Sequence, residues 1–250
     1  GGSLEVIPNQ FESFASGSAT KFTVSSGNDS YTKLLIHSDT VSGSTAFVDS
    51  SANNHVITPY GNVTHSLDQK KFGDTSMYFG GGTSDYLSIP DSADWALETN
   101  DFTIDFWVYF DALTRSPLMT QYTTNDQNHM IVLYEIAGDP DTLMWGVAIS
   151  NDYANGILVR VPFAATTSRW YHIAVVKNGL SGYMFIDGEA QTQTVSQGAW
   201  SNSFGDFSGL LQIGDTDITI NGSLTAHNGY MDEFRFTKGL ARWTSNFTPP

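Results

Sequence analysis

Residues 102–110 read Phe-Thr-Ile-Asp-Phe-Trp-Val-Tyr-Phe, an unbroken alternation. Phe102, Ile104, Phe106, Val108 and Phe110 fall on one side of an extended chain, and Thr103, Asp105, Trp107 and Tyr109 on the other. This is the pattern of a half-buried strand with one wholly apolar face and one mixed, aromatic face. A greasy face of that length must lie on another layer, so the segment demands a packed sheet. The same period of two marks Lys33–His37, His55–Thr58, Met77–Phe79, Tyr86–Ile89, Met130–Ile136, Leu143–Ile149, Ile157–Val161, Trp170–Lys177, Tyr183–Asp187, Leu210–Ile213 and Tyr230–Thr237. Asn178-Gly179 and Asp187-Gly188 supply the positive φ angles of tight hairpin turns. No stretch shows capped i, i+3, i+4 apolar spacing, and no repeat of solenoid or propeller length appears. Charged residues make up only 15% against 40% apolar, a balance that suits strands and polar loops rather than a helical bundle. The sequence predicts an all-β, antiparallel two-sheet β-sandwich.

At 250 residues such a chain buries a sizeable core unaided. The absence of cysteine excludes a disulfide scaffold, a thiolate nucleophile and any thiolate-bound metal, while leaving an extracellular setting open. A formal charge of −15 opposes nucleic-acid binding, which rests on neutralising phosphates, and opposes an anionic membrane. No apolar run reaches the length of a membrane span, and Gly1-Gly2-Ser3 lacks the basic start and apolar stretch of a signal peptide. Residues 1–31, rich in Ser, Gly and Asn with scattered phenylalanines, read as an N-terminal arm or linker with one strand at Lys21–Val24. Residues 32–250 form the domain.

Several blocks carry a family resemblance: Lys33-Leu-Leu-Ile-His-Ser-Asp39, Phe47-Val-Asp-Ser-Ser-Ala-Asn-Asn-His55, Lys71-Phe-Gly-Asp-Thr-Ser-Met-Tyr-Phe79, Asp85-Tyr-Leu-Ser-Ile-Pro90, Asp101-Phe-Thr-Ile-Asp-Phe-Trp107, Trp170-Tyr-His-Ile-Ala-Val-Val176, Phe185-Ile-Asp-Gly188, residues 229–239 and Ala241-Arg-Trp-Thr-Ser-Asn-Phe-Thr-Pro-Pro250. In this order they resemble a laminin-G-like domain of the concanavalin A-like lectin/glucanase superfamily, a jelly roll. The closing block resembles versions found in phage virion and environmental microbial surface proteins. Family members include sugar-binding modules, adhesive domains, spacers and glycosidases, so function rests on the site.

A glycosidase needs two carboxylates flanking the scissile bond. The six glutamates at 5, 12, 98, 135, 189 and 233 never take the Glu-x-Asp-x-x-Glu spacing that jelly-roll glucanases resemble, and the strand at 103–107 offers Asp105 alone. Asp139-x-Asp141 and Asp215-x-Asp217 flank Gly or Pro and read as turns. His129 and His172 lie in strands and read as structural. No nucleophile elbow, zinc-binding helix or phosphate loop is present.

The loop Asp49-Ser-Ser-Ala-Asn-Asn-His55 places oxygen donors at alternate positions, as Ca²⁺ prefers, though the same residues also suit Asx turns. The resemblance implies a structural Ca²⁺ tying an early loop to the last strand, with Asp39, Asp49, Asn53 and Asp232 as its ligands. Sugar binding calls for an aromatic plate beside Asn and Asp side chains. The loops around Tyr122, Asn125, Asp126, Asn151, Tyr153 and Trp200 have that make-up, and Asp105 with Trp107 form a further candidate. The expectation is a non-enzymatic carbohydrate-recognition domain of a virion or cell-surface protein, binding a neutral glycan through edge loops. The alternatives are a decoration or spacer domain joining subunits through the arm, and a divergent glycanase using Asp105, Asp215 and Asp217.

Overall fold

The computed structural model describes residues 28–123, 128–136, 140–216 and 224–250, and contains sixteen strands with no helix among them. In chain order they are β1 (Thr32–Ile36), β2 (Thr58–Tyr60), β3 (Thr64–Ser66), β4 (Ser76–Gly80), β5 (Tyr86–Ile89), β6 (Phe102–Phe110), β7 (Ser116–Tyr122) and β8 (His129–Glu135). Then follow β9 (Thr142–Ile149), β10 (Asp152–Pro162), β11 (Trp170–Asn178), β12 (Ser181–Ile186), β13 (Glu189–Ala190), β14 (Thr194–Gly198), β15 (Leu211–Ile213) and β16 (Asn228–Lys238). They form two antiparallel sheets. The first runs β13-β12-β11-β6-β16-β4-β3, with β1 also on β16; the second runs β14-β10-β9-β8-β7-β15-β5-β2. The long β16 makes room for two neighbours on one side, β4 along 228–231 and β1 along 234–237.

The inward rows of both sheets share one core. Phe102, Ile104, Phe106, Val108 and Phe110 of β6 meet Leu118, Val132, Trp145 and Val159 of the second sheet. The two turns close as their chemistry requires. Asp187 and Gly188 both take positive φ between the paired Ile186 and Glu189, while at the other hairpin only Gly179 does.

Three elements differ from the sequence reading. Strand β7 contains Pro117, which argues against a central strand; here the proline sits at a register shift between Pro117 and Met119, where the ladder does not need its N–H. The strand expected at His55–Thr58 begins only at Thr58, and Val56 makes an isolated bridge to Val48. All nine residues of β6 are buried, on both faces. Several groups cover its outer face: Thr103 bonds Leu240 and Arg242, Phe72 and Lys71 lie against Trp107, and Trp170 and Tyr230 against Tyr109. Beside them, in the segment after β16, Trp243 and Phe247 stack at 3.9 Å and lie over Ala174, Val176 and Phe185 on the outside of the first sheet.

The described residues before β1 are tied to the rest of the fold. The Asn28 side-chain amide donates to the Ser50 carbonyl, and the Asp29 carboxylate pairs with Arg242 at 2.9 Å. The remainder of the arm, including Lys21–Val24, lies outside the described residues.

Candidate functional site

The covered outer face of the first sheet is not closed throughout. Beside the segment that follows β16 lies a cavity of about 400 Å³, lined by Leu35, His37, Asp39, Phe72, Asp105, Trp107, His172, Glu233, Arg235 and Pro250. Its floor is three adjacent strands. Antiparallel register sets Asp105 against both Ala174 and Arg235, and Trp107 against His172 and Asp232.

Asp105 is the electrostatic anchor of this floor. Its two oxygens accept from Arg235 Nε at 2.9 Å and Nη2 at 2.8 Å, a bidentate pair buried on both sides. His172 Nε2 lies 3.5 Å from the same carboxylate, an ionic contact longer than a hydrogen bond. Burial alone would raise the Asp105 carboxyl, but the Arg235 charge, the His172 contact and the Arg235 hydrogen bonds outweigh it and hold the group at about 2. Held as a carboxylate, Asp105 cannot serve as a general acid.

One wall is shaped by an irregularity in β16. The register against β6 shifts between Asp232 and Arg235, and Glu233 takes a φ of +52°. A left-handed conformation costs a residue with a Cβ about 1–2 kcal/mol, and bulges of this kind re-aim side chains beside functional sites. Glu233 here accepts a hydrogen bond from His37 Nδ1 at 2.8 Å. That bond raises the His37 pKa against the opposing effect of burial, with help from the Glu233, Asp39 and Asp232 charges.

Asp232, fully buried, faces the opposite problem. Burial pushes its carboxyl up to about 7, although the Phe72, Lys71 and Glu233 backbone N–H groups all donate to it. The first two bonds seat the lip of the cavity on the sheet. Phe72 on that lip is 41% exposed, while Lys71 Nζ stands 3.8 Å from the centroid of the Trp107 ring. The lip is also fitted to Asp39. That carboxylate accepts from the Asp74 N–H, and Gly73, at φ +55°, passes so close that no Cβ could be placed there.

Two groups lining this cavity have unmet hydrogen-bonding capacity. Trp107 is 7% exposed and His172 1%, yet neither the indole Nε1 nor either imidazole nitrogen has a hydrogen-bond partner. Trp107, Trp243 and Phe247 meet the His172 ring edge-on at 5.2 to 5.8 Å, so its position is fixed. Buried polar atoms without a hydrogen bond are costly; these three are sealed from solvent and do not open on the cavity.

The residues chosen from sequence distribute as follows. Tyr122, Asn151 and Tyr153 come together at one end of the second sheet. Tyr122 and Tyr153 pack on Ile131, Leu133, Met144 and Leu158, and the Tyr153 hydroxyl bonds His129 Nε2 at 2.9 Å. Asn151, at φ +60°, forms the β9–β10 turn with Ser150. Asn125 and Asp126 lie outside the described residues, as do Asp139 and Asp217. Trp200 does not join this cluster as a plate: it is 7% exposed, belongs to the inter-sheet core and donates to Gln193. Its ring lies directly against Gly182, where any Cβ would overlap it, which lets a loop tryptophan be enclosed.

Of the four residues that the resemblance placed around Ca²⁺, Asp39 and Asp232 sit together beside His37. Asp49 is spent elsewhere. Its oxygens accept from the Leu35, Ser51 and His55 N–H groups and the Ser51 hydroxyl, and Asn53 donates to the Lys33 carbonyl. Among the described residues no three His, Asp or Glu side chains gather closely enough to hold a metal. The donor set as named therefore does not fit one ion. Asp141 accepts from the Tyr134 hydroxyl, and Asp215 from the Ser84 and Thr216 N–H groups, as turn residues do.

Sequence reasoning singled out Asp105 and Trp107. It did not single out Phe72, Glu233 or Arg235, and it used His37 only as part of a family block. Arg235 lies 130 residues from its partner, and no local signal announces such a pairing.

A profile of the concanavalin A-like lectin/glucanase superfamily, laminin-G type, matches residues 80–241, more than half of the chain. No curated protein matches. Among solved structures, domain 4 of AbnA, an extracellular arabinanase from Geobacillus stearothermophilus solved with arabinotriose, superimposes with a TM-score of 0.57 at 16% identity, covering 84% of this chain and 95% of that one. The binding domain of Paraclostridial Mosquitocidal Protein 1 gives 0.59 at 13% identity, covering 85% of this chain and 50% of that one. This chain thus spans half of the second.

Proposed function

We propose that this chain, which belongs to the concanavalin A-like lectin/glucanase superfamily, is a non-catalytic glycan-binding domain that takes a neutral sugar in the cavity on its first sheet. The observation that carries the reading is a space of small-molecule size on the outer face of the first sheet, lined by Phe72 and Trp107 beside Asp39 and Glu233. Sugar hydroxyls both accept and donate. They would donate to Asp39 or Glu233, while Phe72 covers the apolar face of the ring. The arabinotriose complex of the arabinanase domain supports the same class of ligand.

Hydrolysis is disfavoured by the state of the acids. Asp105 is locked on Arg235 and Glu233 on His37, which leaves no free carboxylate couple across the cavity. On this reading the domain works at the surface of a virion or cell, with the arm as tether or subunit contact. No described helix is long and apolar enough to cross a membrane.

Calorimetric titration with neutral arabino-, xylo-, manno- and gluco-oligosaccharides tests it, in Ca²⁺ and in EDTA. The expected result is binding to one class, weakened at least tenfold by Phe72→Ala, which removes a part-exposed ring from the lip of the cavity. Absence of binding to every neutral glycan under both conditions rejects the proposal. Equal affinity in Ca²⁺ and EDTA rejects a calcium requirement.

A further inference from the structure

The cavity on the first sheet has a charge as well as a shape. The carboxylates of Asp39, Asp105 and Glu233 line it, against the one guanidinium of Arg235. Asp105 and Arg235 cancel, because they form the buried bidentate pair. Glu233 is bonded to His37 and raises its pKa, so a proton on the imidazole offsets that acid in turn. Asp39 is left over. It is exposed, and among the described residues it forms no ion pair. Its hydrogen bond from the Asp74 N–H ends on Oδ1, which leaves Oδ2 without a donor among the described residues.

Lys71 on the lip does not answer this charge. Its ammonium stands 3.8 Å from the centroid of the Trp107 ring and pairs with no described carboxylate. The Phe72 and Trp107 rings meet edge to face at 6.0 Å, so aromatic surface and an open carboxylate oxygen line the same space. That combination suits a sugar in which one hydroxyl is replaced by an ammonium group. The ring covers aromatic carbon, and the ammonium brings three N–H donors and a positive charge to an acid that lacks a counter-ion. A hydrogen bond between charged partners is roughly twice as strong as one between neutral groups. Acetylation of the amine removes the charge and two of the donors. A uronate would set like charges side by side.

We propose that this cavity ranks sugars by charge and prefers one that bears a single protonated, unacetylated amino group, which Asp39 reads. The proposal rests on the glycan-binding reading and names the ligand class of the same site. The −15 surface attracts any cation, but removing one carboxylate alters that general field little. A large effect of Asp39→Asn therefore reports a local contact.

The test is an NMR titration of the full chain with methyl β-glucosaminide, its N-acetyl form, methyl β-glucoside and methyl β-glucuronide. It follows the Phe72 ring signals at a pH that protonates the amine. The glucosaminide is expected to bind at least tenfold more tightly than the glucoside or the N-acetyl form, with the glucuronide weakest. In Asp39→Asn the ratio of glucosaminide to glucoside affinity should fall close to one. Asparagine Oδ1 can still accept the Asp74 N–H, and the parent protein supplies a second measurement: its preference should shrink as salt is raised to about 0.5 M. A glucosaminide no tighter than the glucoside, a preference that survives both Asp39→Asn and salt, or no binding by any of the four overturns the proposal. If glucoside and glucosaminide bind alike, the neutral-sugar reading stands and the charge ranking falls. If these and the neutral oligosaccharides all fail to bind, both fall.

Discussion

The two sheets solve the same problem differently. Each has an outward face too apolar to leave in water. The second sheet is covered from nearby, by Tyr153 at the start of its own strand β10, and its charges close on one acid, Glu135. The first is covered from far away in sequence, by Trp243 and Phe247. A local cover fits its floor closely. The distant cover lies over β11 and β12, and the cavity lies beside it over β6 and β16. The contrast teaches that a gap in the outer layer, with buried donors beneath it, can arise without any break in the sheet.

Breaking the polar anchor of the first sheet is expected to have the largest effect. Arg235→Met leaves Asp105 buried without its counter-charge, which costs about 3–5 kcal/mol. Urea denaturation should show the midpoint falling steeply, and the double variant Asp105→Leu with Arg235→Met should recover most of the loss. A single variant as stable as the double would show that the pair does not matter. On the second sheet, Tyr153→Ala removes a part-buried cover, for which about 2 kcal/mol is expected. Tyr153→Phe loses only the bond with His129, about 1 kcal/mol. If Tyr153→Ala cost as much as Arg235→Met, the local cover would be no less critical than the anchored pair.

A pH dependence gives a further test, and its sign differs between two neighbouring aspartates. The folded Asp232 carboxyl sits at about 7, above an unfolded value of about 3.9. Between these the folded state binds more protons, so this residue makes stability fall as pH rises from about 4 to 7. Asp105, held at about 2, contributes stability that is present above about pH 4 and lost as pH falls through 2. His37, raised by Glu233, adds stability below its unfolded pKa that is lost as pH rises through its folded value. Denaturation midpoints at pH 4.5 and 8 should therefore differ less in Asp232→Asn than in the parent. An unchanged difference would remove Asp232 from the account.

Much of this was legible in the residues. The alternation of 102–110 located the central strand of the first sheet, and Asp187-Gly188 located a hairpin whose two residues do take positive φ. Asp105 and Trp107 were visible as polar and aromatic members of a strand face. Their partners were not, because Arg235 and Glu233 reach them only through a bulge in β16, and a register shift leaves no periodicity to read. Trp200 misled for a related reason. Its polar neighbours belong to a loop, but the ring turns inward against a glycine that offers it room. Asp49 looked like a cation ligand because Asx turns and calcium loops use the same oxygens, and only the hydrogen bonds distinguish them.

By itself the sequence determined the class of the fold, since a period of two over a dozen segments can bury its apolar rows only between two sheets. It also determined that the chain has no cysteine and so no thiol chemistry. Which outward face Trp243 and Phe247 would cover was decided by the tertiary structure. Those contacts join residues far apart in the chain, such as Phe185 and Phe247, and no local propensity encodes the meeting of two distant segments.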